Sequence, residues 1–82
     1  MDHRQKTRRF VLENFLFSDD DSALADADSL IQSGIVDSTG ILELIEFLEQ
    51  SHGFRVAPEE MIPANFDSID TVMAFVARKT NG

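Results

Sequence analysis

The chain has 82 residues, 15 Asp or Glu against 7 Lys or Arg, a net charge of -8 and no cysteine. That length allows one small domain over residues 1–82 and excludes a two-substrate enzyme with its own cofactor domain. The missing cysteines exclude disulfides and thiolate metal sites, and the negative charge disfavours DNA or RNA, whose binding by counterion release needs a basic surface. No apolar run reaches membrane-spanning length and no signal segment opens the chain, so the expectation is a soluble cytoplasmic protein without membrane insertion.

Four of the seven basic residues, Arg4, Lys6, Arg8 and Arg9, fall in the first nine positions. A first helix is expected over residues 4–16, with Val11, Leu12, Phe15 and Leu16 as its apolar stripe. From Phe10 to Phe54 there is no Lys or Arg, whereas ten acids occur there. Residues 18–22 read Ser-Asp-Asp-Asp-Ser, a polar loop that continues to about Val36 with Leu24, Leu30 and Ile31 as anchors. A connection of that length in a small domain is often functional.

The second helix is the clearest element. Ile41, Leu44, Ile45 and Leu48 keep the i, i+3, i+4, i+7 pattern, and Glu43, Glu46 and Glu49 recur on another face. Asp37 or Ser38 supplies its N-cap, and Gly53 suits a left-handed terminator. Pro58 and two glutamates open a short helical turn over residues 58–61, which Pro63 stops. A last helix begins at Asp67 or Ser68, with Ile69, Val72, Met73 and Val76 in register and Arg78 and Lys79 in its final turn. The expected fold is therefore all-α, a small four-helix bundle of three main helices and one short one, with a long loop between helices one and two. The expected core is Leu12, Phe15, Leu16, Ile41, Leu44, Ile45, Leu48, Phe54, Ile62, Phe66, Ile69, Val72, Met73 and Val76.

Most catalytic and metal signatures fail. The loop aspartates lack calcium-loop spacing, since Ala23, Leu24 and Leu30 stand where ligands or glycine are needed. Val36 occupies a position where a nucleophile elbow needs glycine. A hydrolase pairing Ser38 with His52 would have to span about 20 Å of helix. No catalytic residue and no metal site is expected. A serine opening a helix is ordinarily a cap. Here it also ends a long loop, so another enzyme can reach its hydroxyl, and a phosphate on that oxygen would meet unbonded N–H groups and the positive end of the helix dipole.

Gly34-x-x-Asp37-Ser38, then Ile41-x-x-Leu44-Ile45-x-x-Leu48-Glu49-x-x-x-Gly53, Val56-x-Pro58 and Phe66-x-Ser68-Ile69-x-Thr71-Val72 together resemble the acyl carrier protein family, including its D-alanyl and peptidyl carriers. The resemblance runs from helix one through Val76. It implies that Ser38 receives 4′-phosphopantetheine from coenzyme A, that Asp37 stands beside the Mg²⁺ of the phosphopantetheinyl transferase, and that the arm carries acyl or aminoacyl cargo as a thioester. It further implies that Thr39, Leu42, Glu43, Glu46 and Glu49 meet partner enzymes with basic docking patches, and that the chain is a non-catalytic monomer. The family usually has a larger apolar residue after the serine, so Thr39 bears on transferase choice. The competing reading of the same residues is an unmodified acidic adaptor that binds a basic protein through helix two.

Overall fold

The computed structural model describes residues 3–81. They form three α-helices, α1 (His3–Val11), α2 (Ser38–His52) and α3 (Ile69–Asn81), with no strand among the described residues. The expected short helix is replaced by two 3₁₀ turns, Pro58–Glu60 and Pro63–Asn65, each opened by its proline. Glu60 closes the first of them by accepting the Ala57 N–H at 2.8 Å. The first turn already ends at Glu60, with Met61 as its cap, so Pro63 opens a second turn rather than stopping the first. No helix of the described residues is long and apolar enough to cross a membrane.

The first helix is α-helical only to Val11 and then widens into a π turn over Leu12–Leu16. The Leu12 carbonyl accepts both the Phe17 and Ser18 N–H groups. Phe17 ends the helix in a left-handed conformation, φ 51°, although it is not glycine. Phe10 stacks on Phe47 of α2 with ring centroids 4.2 Å apart, which joins the first two helices. Phe66 and Phe54 pack edge-on against Phe75 of α3, at 5.1 and 6.1 Å. Ser68 caps α3 by accepting the Thr71 N–H, while the Thr71 hydroxyl accepts the Ser68 N–H.

The buried core contains Leu12, Leu44, Ile45, Leu48, Phe66, Ile69, Val72 and Val76 as expected, with Phe15, Leu16, Ile41, Phe54 and Met73 packed at its edge. Ile62 is a correction. It is 47% exposed, because the extended residue between two proline-led turns points its side chain outward. Leu24 and Leu30 are buried, as their role as loop anchors requires, and so is Val11 of the first apolar stripe, whereas the third expected anchor, Ile31, is exposed. Val36, Val56 and Phe75 join the core beyond expectation. Three of these buried residues, Leu24, Leu30 and Val36, belong to the connection between α1 and α2, which is therefore packed down along its length.

Charge holds that connection as well. Arg8 is only 7% exposed and donates to the carboxylates of Asp21 and Asp26 and to the carbonyls of Asp21 and Leu24. Arg4 bridges Asp26 and Asp70 at 2.7 and 2.8 Å, and the Asp70 N–H donates to the Asp26 carbonyl. The basic start of the chain thus neutralises part of the acidic loop and pins it to α1 and α3.

Candidate functional site around Ser38

The approach to α2 is a tight turn. Gly34 takes φ 80°, a left-handed value that favours glycine, and its N–H donates to the Ile31 carbonyl. The chain then returns on itself through a Val36 N–H to Leu30 carbonyl bond of 2.9 Å. Asp37 follows in extended conformation and is the N-cap, its carboxylate accepting the Gly40 N–H at 2.7 Å. Its carbonyl accepts the Ile41 N–H at 2.9 Å.

These two bonds decide what Ser38 is for locally. The serine is the first residue inside α2, exposed, and its hydroxyl makes no hydrogen bond among the described residues. The capping role belongs to Asp37. The N–H groups of Ser38 and Thr39 have no acceptor within the helix and open to solvent. A nucleophilic hydroxyl and two donors thus lie at the positive end of a 15-residue helix.

Beside them lies an open cleft of about 410 Å³ lined chiefly by Ile31, Ser38, Leu42, Met61 and Pro63 and floored by Ile41 and Ile45. Its walls are mainly aliphatic, and Leu42 is 59% exposed on its rim. Sequence reasoning placed Leu42 here but missed Met61 and Pro63. They lie in the irregular 58–65 segment, where no helical period marks which side chains converge.

Thr39, Leu42, Glu43 and Glu46 are exposed and, at 100° per residue, share one face of α2 within about 100° of arc. Glu49 lies at the edge of that face and is drawn inward. One of its oxygens accepts the N–H of the buried Val56 at 2.8 Å, tying the chain after Gly53 back to the helix. Glu43 and Glu46 also border a shallow cleft over the stacked Phe10 and Phe47.

The remaining candidate nucleophile–base pair is separated. Ser38 and His52 are the first and last residues of α2, about 21 Å apart along its axis. His52 packs between His3, with centroids 4.4 Å apart, and Phe54, stacked at 5.7 Å. Burial, then the charges of His3 and Lys6, hold its pKa below the ordinary imidazole value. No group of three or more metal-ligating side chains occurs among the described residues.

No family model matches the chain. A curated protein, the probable acyl carrier protein PigG of Serratia sp. (strain ATCC 39006), is 37% identical over 49 residues, covering 60% of this chain. The match spans 56% of that protein's length, just over half. Over those 49 residues the chain is thus similar to a protein described as a probable acyl carrier protein.

Proposed function

We propose that the chain is a carrier module that holds acyl or aminoacyl intermediates on a 4′-phosphopantetheine arm attached to Ser38. The observation that carries this reading is the exposed, uncommitted Ser38 hydroxyl beside an Asp37 that already caps the helix. In the attachment step, Ser38 Oγ bonds to the pantetheine-bearing phosphorus of coenzyme A. The bond from that phosphorus to the bridging oxygen of the pyrophosphate breaks, adenosine 3′,5′-bisphosphate leaves, and the hydroxyl proton passes to a base of the transferase. The Ser38 and Thr39 N–H groups would serve as donors to the phosphodiester, as suits an anion at a helix start. In this reading Asp37 would meet the transferase's Mg²⁺ through its second carboxylate oxygen, the first accepting the Gly40 N–H. When bound, the arm supplies a terminal thiol for thioester formation, which the cysteine-free chain lacks.

The residues around the serine support the remainder of the reading. Leu42, Met61 and Ile31 give the arm and its cargo an apolar wall. Thr39, Leu42, Glu43 and Glu46 present a docking face to partner enzymes with basic patches, in contacts that steer encounter more than they tighten it. Glu49 contributes charge to that face but is also a structural anchor. The chain itself has no catalytic role in this reading. Its two 3₁₀ turns stand in for the short helix of a four-helix bundle.

The test is intact mass after incubation with coenzyme A, Mg²⁺ and a broad-specificity phosphopantetheinyl transferase. A gain of one phosphopantetheine group by the native chain, absent in Ser38→Ala, is the expected result. No gain with several transferases, persisting in Thr39→Leu, would favour the unmodified acidic adaptor.

A further inference from the structure

Asp67 precedes the last helix and has the side chain of an N-cap, yet Ser68 caps α3 and Asp67 reaches elsewhere. One of its carboxylate oxygens accepts two donors from the α1–α2 connection, the Ser29 hydroxyl at 2.7 Å and the Ile31 N–H at 3.1 Å. Its backbone carbonyl accepts the Leu30 N–H. Three bonds from one residue therefore seize three consecutive residues of the loop. Leu30, the middle one, is fully buried, and its carbonyl receives the Val36 N–H that aims the chain into Asp37 and Ser38. Ile31 projects the other way, into the cleft beside Ser38. Asp67 itself does not line that cleft.

We infer that Asp67 is a positioning residue for the Ser38 cleft: it fixes the 29–31 turn so that Ile31 forms the cleft wall next to the attachment serine. The inference rests on the reading of Ser38 as the attachment site. Physically, residues 29–31 have no regular secondary structure of their own to hold them. Without the Asp67 acceptor, the Ile31 N–H and Ser29 hydroxyl turn to water, and the residues on either side of buried Leu30 regain part of the freedom they lost on folding. Both side-chain bonds converge on one oxygen. An asparagine carbonyl oxygen can accept both, so the charge is dispensable and the acceptor is not.

The test compares full-length native chain, Asp67→Ala, Asp67→Asn and Ile31→Ala. Loading from coenzyme A by a phosphopantetheinyl transferase is followed by intact mass, and amide hydrogen exchange is read at Ile31, well below each variant's melting temperature. Asp67→Ala is expected to lower kcat/KM for loading and to speed Ile31 exchange, each by about tenfold, the equivalent of one to two lost hydrogen bonds. Asp67→Asn is expected to stay within about threefold of the native chain on both readouts. Ile31→Ala should share the loading loss. Native-rate loading by Asp67→Ala, or an Asn variant as impaired as the Ala variant, overturns the inference while the carrier reading stands. If Asp67→Ala does not fold, native-rate loading by Ile31→Ala overturns it instead. A native chain that no transferase loads removes the carrier reading itself, and this inference with it.

Discussion

The ring of Phe15 occupies the space that a side chain on Gly40 would need. A Cβ built on Gly40 lies 2.8 Å from Phe15 Cε1, 3.0 Å from Val36 Cγ1 and 3.3 Å from the Asp37 carboxylate. Glycine in the first turn of α2 therefore lets the end of the first helix and the loop close onto the serine-bearing end. Gly40→Ala sets two effects against each other. Alanine favours the helix by about 1 kcal/mol, and overpacking costs about 1–3 kcal/mol. Three neighbours are too close at once, so packing wins. The variant should melt lower by several degrees, roughly 1 kcal/mol, in a thermal circular-dichroism scan. A higher melting point would mean that Phe15 swings aside readily.

Capping and attachment belong to different residues, and stability measurements separate them. Ser38→Ala removes an exposed hydroxyl that bonds to nothing among the described residues, so its stability should stay within about 0.5 kcal/mol of the native chain. Asp37→Ala removes the acceptor of the Gly40 N–H and should lose about 1 kcal/mol. Urea unfolding of the two variants checks both. A large loss in Ser38→Ala would return the serine to an ordinary capping role.

Arg8 is the cation on which the long connection depends. Breaking a buried ion pair costs about 3–5 kcal/mol, but Asp21 is largely exposed, so Arg8→Ala should lose about 2–3 kcal/mol. Arg8→Lys should recover less than half, because one ammonium cannot reproduce a fork that reaches two carboxylates and two carbonyls. Burial alone would raise the pKa of Asp26, but its bonds to Arg8 and Arg4 outweigh burial and lower it. Its contribution is therefore present above the ordinary carboxylate pKa and is lost as pH falls through the lowered folded value. Urea midpoints at neutral and acid pH should show Arg8→Ala less sensitive to acid than the native chain.

The parts of this molecule that repeat along the chain were legible, and the parts that meet across it were not. The α2 helix follows from its apolar period, with Asp37 and Gly53 as its punctuation. The same logic places Glu43 and Glu46 on an exposed face, because exposure on a helix is a matter of angle, whereas Ser38 stands out by ending the loop at the helix start. Arg8 meets partners 13 to 18 residues away in a segment without any period, so no local signal joins them. Of the three apolar residues expected to anchor the loop, Leu24 and Leu30 are buried and Ile31 is exposed, while Val36 is buried without having been expected to be, because in irregular backbone apolar character alone does not tell buried from exposed. Ile62 has the same character and the opposite fate. The sequence lets the last helix begin at either Asp67 or Ser68, since both side chains suit a helix start. Only the folded chain shows which of the two turns toward the loop.

His52 gives the fold a pH dependence near neutrality. Burial, then the charges of His3 and Lys6 on α1, lower its pKa, so the folded state prefers the neutral ring. Stability from this preference is fully present above the unfolded value of about 6.5 and is lost as pH falls from there through the folded value. The native chain should therefore melt lower at pH 5.5 than at pH 7.5, in a range above the carboxylate transitions. His52→Gln should flatten that difference. An unchanged slope in the variant would assign the effect to other groups.

Glu46 and Glu49 are one turn apart on an acidic helix face and should answer substitution differently. Glu46 is exposed and has no ion pair or side-chain hydrogen bond among the described residues, so Glu46→Lys should leave stability within about 0.5 kcal/mol. In the carrier reading the same change should weaken loading through KM, because it reverses a charge that meets a basic partner, and added salt should shrink the difference from the native chain. Glu49→Ala strands the N–H of buried Val56 and should cost about 1–3 kcal/mol. Glu49→Gln keeps an acceptor oxygen for that N–H, so it should restore stability while still removing charge from the docking face. Paired melting and loading measurements on the four proteins separate anchor from docking charge. If Glu49→Gln matches Glu49→Ala in stability, the charge itself holds the loop. If Glu46→Lys leaves KM untouched, partners dock elsewhere on the surface.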